Sequence, residues 1–171
     1  GRVAGDNTDV AGILDALDRL APPSGAWLVA GTGGSARAVV GAARERNAPL
    51  AVQSRDPSRA EAFLAWARTL GVATAAPAQC AVLINATPLG LRDGDPVPLA
   101  AGLAPDAEVG LDLVYAAGET PWVRALRARG VRASDGRSML VAQGAAAFER
   151  WFPGVPAPRD IMRAAVDGAL R

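Results

Sequence analysis

The sequence predicts an α/β fold, a doubly wound parallel β-sheet with helices on both faces and further helices at the carboxyl end. Short apolar runs such as 26–31 and 81–84 are typical of buried parallel strands. They alternate with longer segments whose apolar residues recur at helical spacing, such as 35–46. This alternation builds parallel sheets from βαβ units, which bind ligands beyond the carboxyl ends of their strands. With 50% hydrophobic residues among 171, the chain can bury a sizeable core.

The elements follow one another with recognisable start and stop signals. The Pro-Pro-Ser-Gly stretch at 22–25 ends the first apolar stripe, and Asp-Pro-Ser at 56–58 has helix-start chemistry. Pro121 is tolerated because it falls in the first turn of its helix. Helices are predicted at 11–20, 35–46, 59–70, 119–129, 136–151 and 159–170. Strands are predicted at 26–31, 49–54, 71–74, 81–87, 107–115 and 131–134.

Composition excludes several classes of function. The net charge is +1, with 18 basic and 17 acidic residues, so nothing favours nucleic acid or an anionic membrane as a partner. No apolar run is long enough to span a bilayer, and we expect no signal peptide because the first residues lack a basic segment followed by an apolar one. Because histidine is absent, His-based triads are excluded and no metal site is expected. The single cysteine, Cys80, favours a reducing cytoplasm and is interpreted as a core filler rather than a reactive thiol.

A glycine-rich stretch after the first strand fits the pattern G-x-G-x-x-[GA]. It comprises Gly31, Thr32, Gly33, Gly34, Ser35 and Ala36. The first glycine allows a sharp turn, the second allows close approach of a pyrophosphate, and the small third position lets helix and strand pack. The amino end of the following helix then offers free N–H groups to phosphates. This context predicts a Rossmann-like dinucleotide site; the alternative is a turn that needs only a positive φ.

The end of the second strand indicates which dinucleotide. An NAD site usually has an acidic residue there, whereas this strand ends in Ser54 and Arg55, with Arg59 one helical turn later. Two guanidinium groups can bind a 2′-phosphate, which favours NADP. Arg59 could instead be a solvated helix residue. Asp56 could cap the next helix, or accept a ribose hydroxyl and weaken the preference for NADP.

Several stretches, in order over essentially the whole chain, resemble one known family. They are GDNTDVAG at 5–12, GTGGSARA at 31–38, SRDPSRA at 54–60, INATPLG at 84–90, DLVY with ETPW in 112–122, and DGRSMLVAQGAAAF at 135–148. Together they resemble shikimate dehydrogenases. The resemblance implies NADP-dependent reduction of 3-dehydroshikimate to shikimate, in aromatic amino-acid biosynthesis.

The family has two domains with the active site between them, and its amino-terminal domain carries a catalytic lysine. This chain resembles the remainder, contains no lysine, and begins at Gly1 in a stretch typical of the interior of a protein. We therefore expect it to be part of a longer protein and inactive alone. The resemblance implies three parts: an interdomain helix with the catalytic aspartate at 1–20, an NADP-binding domain at 21–135, and closing helices at 136–171.

The resemblance also carries over individual substrate-side residues. Asp9 matches the aspartate that pairs with the missing lysine at the substrate hydroxyl; its alternative role is a helix cap or first-turn carboxylate. Gln143 matches a glutamine that hydrogen-bonds substrate hydroxyls. Tyr115 matches a tyrosine at the substrate site, with simple packing at a strand end as the alternative.

On the cofactor side, the resemblance implies a wall beside the nicotinamide. Its members are Asn85, Thr87, Leu113 and Gly136. The chain departs from the family pattern at Leu113, Ser54 and Asp56, where methionine, asparagine and threonine are common. The last two departures bear on the choice between NADP and NAD.

Two rival functions stay open from the sequence. One is a quinate/shikimate dehydrogenase with NAD or dual cofactor use. The other is a non-catalytic nucleotide-binding module. We expect a cytoplasmic monomer or homodimer that acts on a small-molecule substrate.

Overall fold

A computed structural model describes residues 5–92 and 94–170. The helices are α1 (Asp9–Asp18), α2 (Gly34–Glu45), α3 (Pro57–Thr69), α4 (Pro121–Ala128), α5 (Arg137–Trp151) and α6 (Arg159–Ala169). The strands are β1 (Ala26–Ala30), β2 (Leu50–Gln53), β3 (Cys80–Asn85), β4 (Val109–Asp112) and β5 (Arg132–Ser134). They form a parallel sheet in the order β2-β1-β3-β4-β5. The chain runs outward from β1 to β2 and returns to β3 on the other side of β1, so the strand order reverses between β1 and β3.

Alternation along the strands divides the interior into two cores. On β1, Trp27 and Val29 face a core with the apolar residues of α1, α2 and α3. Leu28 and Ala30 face a second core, to which α4 contributes Trp122 and its neighbours. Helices therefore cover both faces, and the predicted fold class is confirmed. The prediction for Cys80 is also consistent with its 1% exposure in the second core, and burial raises the pKa of its thiol to about 11.

Helix α1 packs against α5, although the two are far apart in sequence. Asp6, just before α1, forms an ion pair with Arg150 near the end of α5. At the other end of α1, Arg132 donates to the carbonyl oxygen of Leu20 at 2.6 Å. Exposed ion pairs contribute only about 0–1 kcal/mol each. The docking of α1 therefore rests on its buried apolar face, which includes Ile13, fully buried.

The prediction of a strand at 71–74 is wrong. This segment makes one isolated bridge, Leu50 to Thr74, at the β2 edge. The N–H of Leu50 donates to the Ala73 carbonyl at 2.8 Å, and the N–H of Ala75 donates to the Leu50 carbonyl at 2.9 Å. Gly71 turns the chain with φ +83°, and only Val72 of the segment is buried. The pairing with β2 therefore does not extend beyond this one bridge.

The other elements occur where predicted, with shifted bounds. The largest difference is β4, which is shorter than the predicted 107–115 because residues 113–115 leave the sheet to line a cleft. Helix α1 lies in the predicted first part, the sheet in the second, and α5 and α6 in the third. Residues 1–4, 93 and 171 of those parts lie outside the described residues. The division into three parts stays a prediction. No helix in the described ranges is long and apolar enough to cross a membrane.

Candidate nucleotide-binding site

A cleft of about 880 Å³ opens at the carboxyl ends of β1, β2 and β3. It therefore lies where the strand order reverses, the position at which open α/β sheets bind ligands. Its lining includes predicted residues from three separate segments of the chain: Gly31, Thr32, Gly33, Ser54, Arg55, Asp56, Arg59 and Thr87. The lining also includes apolar residues of the loop that follows β3, among them Pro96, Val97 and Leu103.

The glycine loop has the shape that a phosphate site requires. Gly31 has φ +101°, and a β-carbon there would lie 2.9 Å from the Ala86 carbonyl oxygen. Gly33 precedes α2 with an extended backbone and no side-chain cap. A β-carbon at Gly33 or Gly34 would meet no atom within 4 Å. The amino end of α2 is thus open toward the cleft, and its unpaired N–H groups suit an anion.

Ala36 has a different role from the rest of the loop. It is fully buried in the core shared by α2 and the sheet, and it does not line the cleft. Its small side chain lets α2 pack closely on β1, which is the reason the motif needs a small residue at this position.

Two arginines supply positive charge at the far end of the cleft. Arg55 and Arg59 both line it, and neither forms an ion pair with any residue in 5–92 or 94–170. Guanidinium groups in such a position suit a phosphate by charge-assisted hydrogen bonds. The donor set of glycine loop, helix end and two arginines therefore fits a dinucleotide that carries an additional phosphate.

Asp56 between these arginines caps helix α3. Its Oδ1 accepts hydrogen bonds from the Ser58 N–H at 2.9 Å, the Ser58 hydroxyl at 2.7 Å and the Arg59 N–H at 3.4 Å. These bonds, chiefly that from the Ser58 hydroxyl, lower the pKa of the Asp56 carboxyl. One of the two sequence alternatives, the helix cap, is thus present. A role toward a ribose stays a prediction.

A second cleft, of about 440 Å³, adjoins the first. The two clefts share Ala86, Thr87 and Pro88. The second one brings together four predicted residues that are distant in sequence: Ser35, Thr87, Leu113 and Tyr115. Tyr115 is 39% exposed, so its ring is available at this surface.

Two residues predicted for the nicotinamide wall, Asn85 and Gly136, lie beneath the surface of the second cleft. Asn85 is fully buried, and its amide is used internally. Gly136 is also buried, and a β-carbon there would lie 2.4 Å from the Leu113 carbonyl oxygen. Neither lines either cleft. Asn85 therefore supports the loop, and Gly136 is small because the backbone of Leu113 crosses it. A place for either residue beside the nicotinamide stays a prediction.

The sequence interpretation missed a buried polar network next to these clefts. Asp112 and Thr120, both fully buried, hydrogen-bond each other, and Asp112 also binds Asn85. Burial raises the pKa of the Asp112 carboxyl, and the hydrogen bonds from Thr120, Asn85 and Val114 oppose that shift. A signal was available, because an aspartate that ends an apolar strand needs buried partners, and a Thr-Pro pair follows shortly after.

Asp9 and Gln143 lie on the facing helices α1 and α5, away from both clefts. Asp9 is in the first turn of α1, and its N–H donates to the Asn7 side chain at 2.9 Å. A β-carbon at Gly12, one turn later, would lie 2.9 Å from Cβ of Gln143. Residues three apart lie on the same face of a helix. Asp9 therefore lies on the face of α1 that carries Gly12 and is turned toward Gln143 of α5. Neither residue lines the first or the second cleft.

Comparison with known proteins identifies a matching family model and relatives of this chain. Residues 136–166 match the family model described as the shikimate 5′-dehydrogenase C-terminal domain. An NADP(+) shikimate dehydrogenase of Methylocella silvestris is 40% identical, over 99% of this chain and 66% of the relative. The chain belongs to the shikimate dehydrogenase family. A Thermus thermophilus enzyme of the same name is also 40% identical, over 96% of this chain and 63% of its own length.

Solved structures confirm the fold. A Thermus thermophilus shikimate 5-dehydrogenase in complex with NADP(H) and shikimate superposes with a TM-score of 0.84 at 37% identity, over 97% of this chain and 64% of that one. A ligand-free 5-ketofructose reductase of Gluconobacter also gives a TM-score of 0.84, at 27% identity, over 96% of this chain and 64% of that one. The chain spans about 60–66% of the length of the curated shikimate dehydrogenases that it matches.

Proposed function

We propose that this chain is the NADP(H)-binding part of a shikimate dehydrogenase, which reduces 3-dehydroshikimate to shikimate in aromatic amino-acid biosynthesis. The observation that carries the proposal is the first cleft, in which an open glycine loop faces two arginines free of ion pairs within the described ranges. The names of the relatives, which are NADP(+) shikimate dehydrogenases, support the choice of cofactor and substrate.

The cofactor would be held by groups from three strand ends. The amino end of α2 and the glycine loop would bind the pyrophosphate. Arg55 and Arg59 would bind the 2′-phosphate of the adenosine. The second cleft, with Thr87, Leu113 and Tyr115, would hold the nicotinamide half. When bound, the nicotinamide supplies the hydride that the reaction requires.

The proton chemistry would come from the face shared by α1 and α5. Reduction of a ketone to a secondary alcohol requires that its oxygen receive a proton, and a carboxylate paired with an ammonium group can move that proton. Asp9 would form such a pair with a lysine of the full-length protein, and Gln143 would bind a substrate hydroxyl. This chain contains no lysine. We therefore propose catalysis for the full-length protein, as a cytoplasmic monomer or homodimer, and only cofactor binding for the chain alone.

A second candidate is a quinate/shikimate dehydrogenase that also uses NAD. The position of Asp56 in the first cleft favours it, since all three cap contacts use Oδ1. The other carboxylate oxygen could accept a hydrogen bond from a ribose hydroxyl, as acidic residues do in NAD sites.

The test is a calorimetric titration of this chain with NADP⁺, NAD⁺ and adenosine 2′,5′-bisphosphate at one salt concentration. The proposal predicts binding of NADP⁺ and of the bisphosphate, and weaker binding of NAD⁺. Equal affinity for NADP⁺ and NAD⁺ would favour the second candidate. Failure to bind any of the three would overturn the cofactor proposal. Shikimate oxidation by the full-length protein, followed by NADPH absorbance with quinate as a competing substrate, then tests the reaction.

A further inference from the structure

We infer that Asp112 is a positioning residue for the nicotinamide half of the cofactor, because it joins the separate chain segments that shape the second cleft. The inference rests on the proposed function, namely that the chain binds NADP(H). Asp112 ends β4, is fully buried, and touches neither cleft itself. It acts through its hydrogen-bond partners.

The first connection runs to the loop after β3. Oδ1 of Asp112 accepts a hydrogen bond from the Asn85 amide nitrogen at 2.8 Å. That nitrogen also donates to the Leu89 carbonyl oxygen at 3.0 Å, while the Asn85 side-chain carbonyl accepts from the N–H and the hydroxyl of Thr87 at 3.0 and 2.7 Å. The loop thus closes around Asn85. The orientation of Asn85, and with it the position of Thr87, depends on Asp112.

The second connection fixes the segment that leaves β4. The N–H of Val114 donates to Oδ1 of Asp112 at 3.1 Å, which turns the chain immediately after the strand. Leu113, Val114 and Tyr115 then line the second cleft. The carbonyl oxygen of Val114 accepts from the Gly136 N–H at 3.0 Å, so the segment is held on both sides.

The third connection runs to the start of helix α4. The Thr120 hydroxyl accepts a hydrogen bond from the Val123 N–H at 3.3 Å as the cap of α4, and it donates to Oδ2 of Asp112 at 2.7 Å. Since its one proton goes to Asp112, this hydroxyl anchors the return of the 115–120 loop to the sheet. The loop that carries Tyr115 is therefore tied to Asp112 at both ends.

The donors around Asp112 suit an ionised carboxylate. Two of the three are N–H groups, which can only donate, and the Thr120 hydroxyl gives its one proton to Oδ2 of Asp112. An asparagine at this position would place an amide NH₂ against at least one of these donors. It would keep the size of the side chain but break part of the network, and buried donors left without a partner are costly.

The groups proposed to bind the adenosine end of the cofactor lie on other segments of the chain than the residues of this network. The glycine loop follows β1, and Arg55 and Arg59 follow β2. None of these residues hydrogen-bonds to the side chains of Asp112, Asn85 or Thr120. Loss of Asp112 should therefore separate the two halves of the cofactor, which a general loss of stability would not do.

The experiment compares the affinities of NADP⁺ and adenosine 2′,5′-bisphosphate, which lacks the nicotinamide half, in wild type, Asp112→Asn, Thr120→Val and Thr120→Ser. For the first two variants we expect the Kd for NADP⁺ to rise roughly tenfold, as loss of one hydrogen bond would produce. The Kd for the bisphosphate should stay within about twofold of wild type. Thr120→Ser keeps the hydroxyl and should bind NADP⁺ as tightly as the wild type does. Thr120→Val removes one contact with Asp112 and the cap of α4, but it keeps the bonds of Asp112 to Asn85 and Val114. It therefore provides the test even if Asp112→Asn does not fold.

The matched control is Asp135→Asn, which alters another buried carboxylate, after β5, that pairs with Arg137 and lines neither cleft. It should leave both affinities unchanged. Equal losses for NADP⁺ and the bisphosphate, or no loss for NADP⁺, would overturn the inference while leaving the proposed function in place. If the wild-type chain binds neither ligand, the proposed function fails, and this inference fails with it.

Discussion

Gly136 lies directly against the backbone of Leu113, with no space for a side chain between them. A β-carbon at position 136 would lie 2.4 Å from the Leu113 carbonyl oxygen and 2.8 Å from its carbonyl carbon. The Leu113 N–H is bound to the Asn85 carbonyl at 3.0 Å, and the Gly136 N–H to the Val114 carbonyl at 3.0 Å. Neither segment can move aside without losing a backbone hydrogen bond.

Gly136→Ala should therefore lower the free energy of unfolding by about 1–3 kcal/mol, the usual cost of overpacking a tight site. Urea denaturation measures this. Gly144→Ala is the control in the neighbouring helix α5, where a β-carbon would meet nothing within 4 Å. It should stabilise by about 0.5–1 kcal/mol through better helix propensity. Equal stability of the two variants would mean that the contact at Leu113 relaxes freely.

Arg55→Ala with Arg59→Ala should weaken NADP⁺ binding by at least roughly tenfold, because each hydrogen bond to a charged group contributes about 1.5–3 kcal/mol. NAD⁺, which lacks the 2′-phosphate, should lose no more than about threefold. Calorimetry on both cofactors gives the ratio. Arg68→Ala is the control, since Arg68 is exposed in the last turn of the same helix as Arg59 and does not line the cleft. A similar loss for both cofactors would contradict the 2′-phosphate assignment.

Asp9→Asn in the full-length protein should lower kcat by roughly 10²–10⁴-fold, the range that general acid–base catalysis contributes. The Kd for NADP⁺ should not change, because Asp9 lines neither cofactor cleft. Steady-state kinetics and calorimetry separate the two quantities. Asp18→Asn, at the other end of α1, serves as the control. If Asp9→Asn lowers the melting temperature and cofactor affinity together, Asp9 has a structural role instead.

The Asp56 cap should make stability depend on pH. Hydrogen bonds, first that from the Ser58 hydroxyl, hold the pKa of this carboxyl below its usual 3.8. A lowered carboxyl pKa contributes stability above the unfolded value and loses it as the pH falls through the folded value. Asp56→Asn keeps an acceptor but no charge, so its melting temperature should lie below that of wild type at neutral pH. The difference should shrink as the pH falls below 3.8. A difference that is constant with pH would contradict this role.

The sequence predicted the element order and the glycine loop well, because both depend on local patterns. Apolar runs mark buried strands, and the turn at Gly31 needs a positive φ whatever surrounds it. The segment 71–74 was predicted wrongly because its apolar residues resemble a strand, whereas pairing at a sheet edge depends on the neighbour's length and direction.

The sequence can indicate that Asp112 needs buried partners, but local patterns could not identify Asn85 as one of them. Asn85 and Asp112 are 27 residues apart, and their contact depends on which strands become neighbours. For the same reason, the sequence suggested Asn85 as part of the cleft wall, whereas its side chain points into the protein. A motif identifies the residue type but not the direction of its side chain.

The pairing of α1 with α5 has a consequence for synthesis on the ribosome. Helix α1 is made before the other elements of the described ranges, but the surface that covers its Ile13 and Leu17 is completed by elements made later. Asp15 of α1 also forms an ion pair with Arg159, which is 144 residues away. Contacts of such long sequence separation slow folding, because the intervening chain must be ordered first. The nascent sheet would therefore form with α1 covered by α2 but not yet by α5. That state is open to chaperones and to aggregation until the last third of the chain has been made.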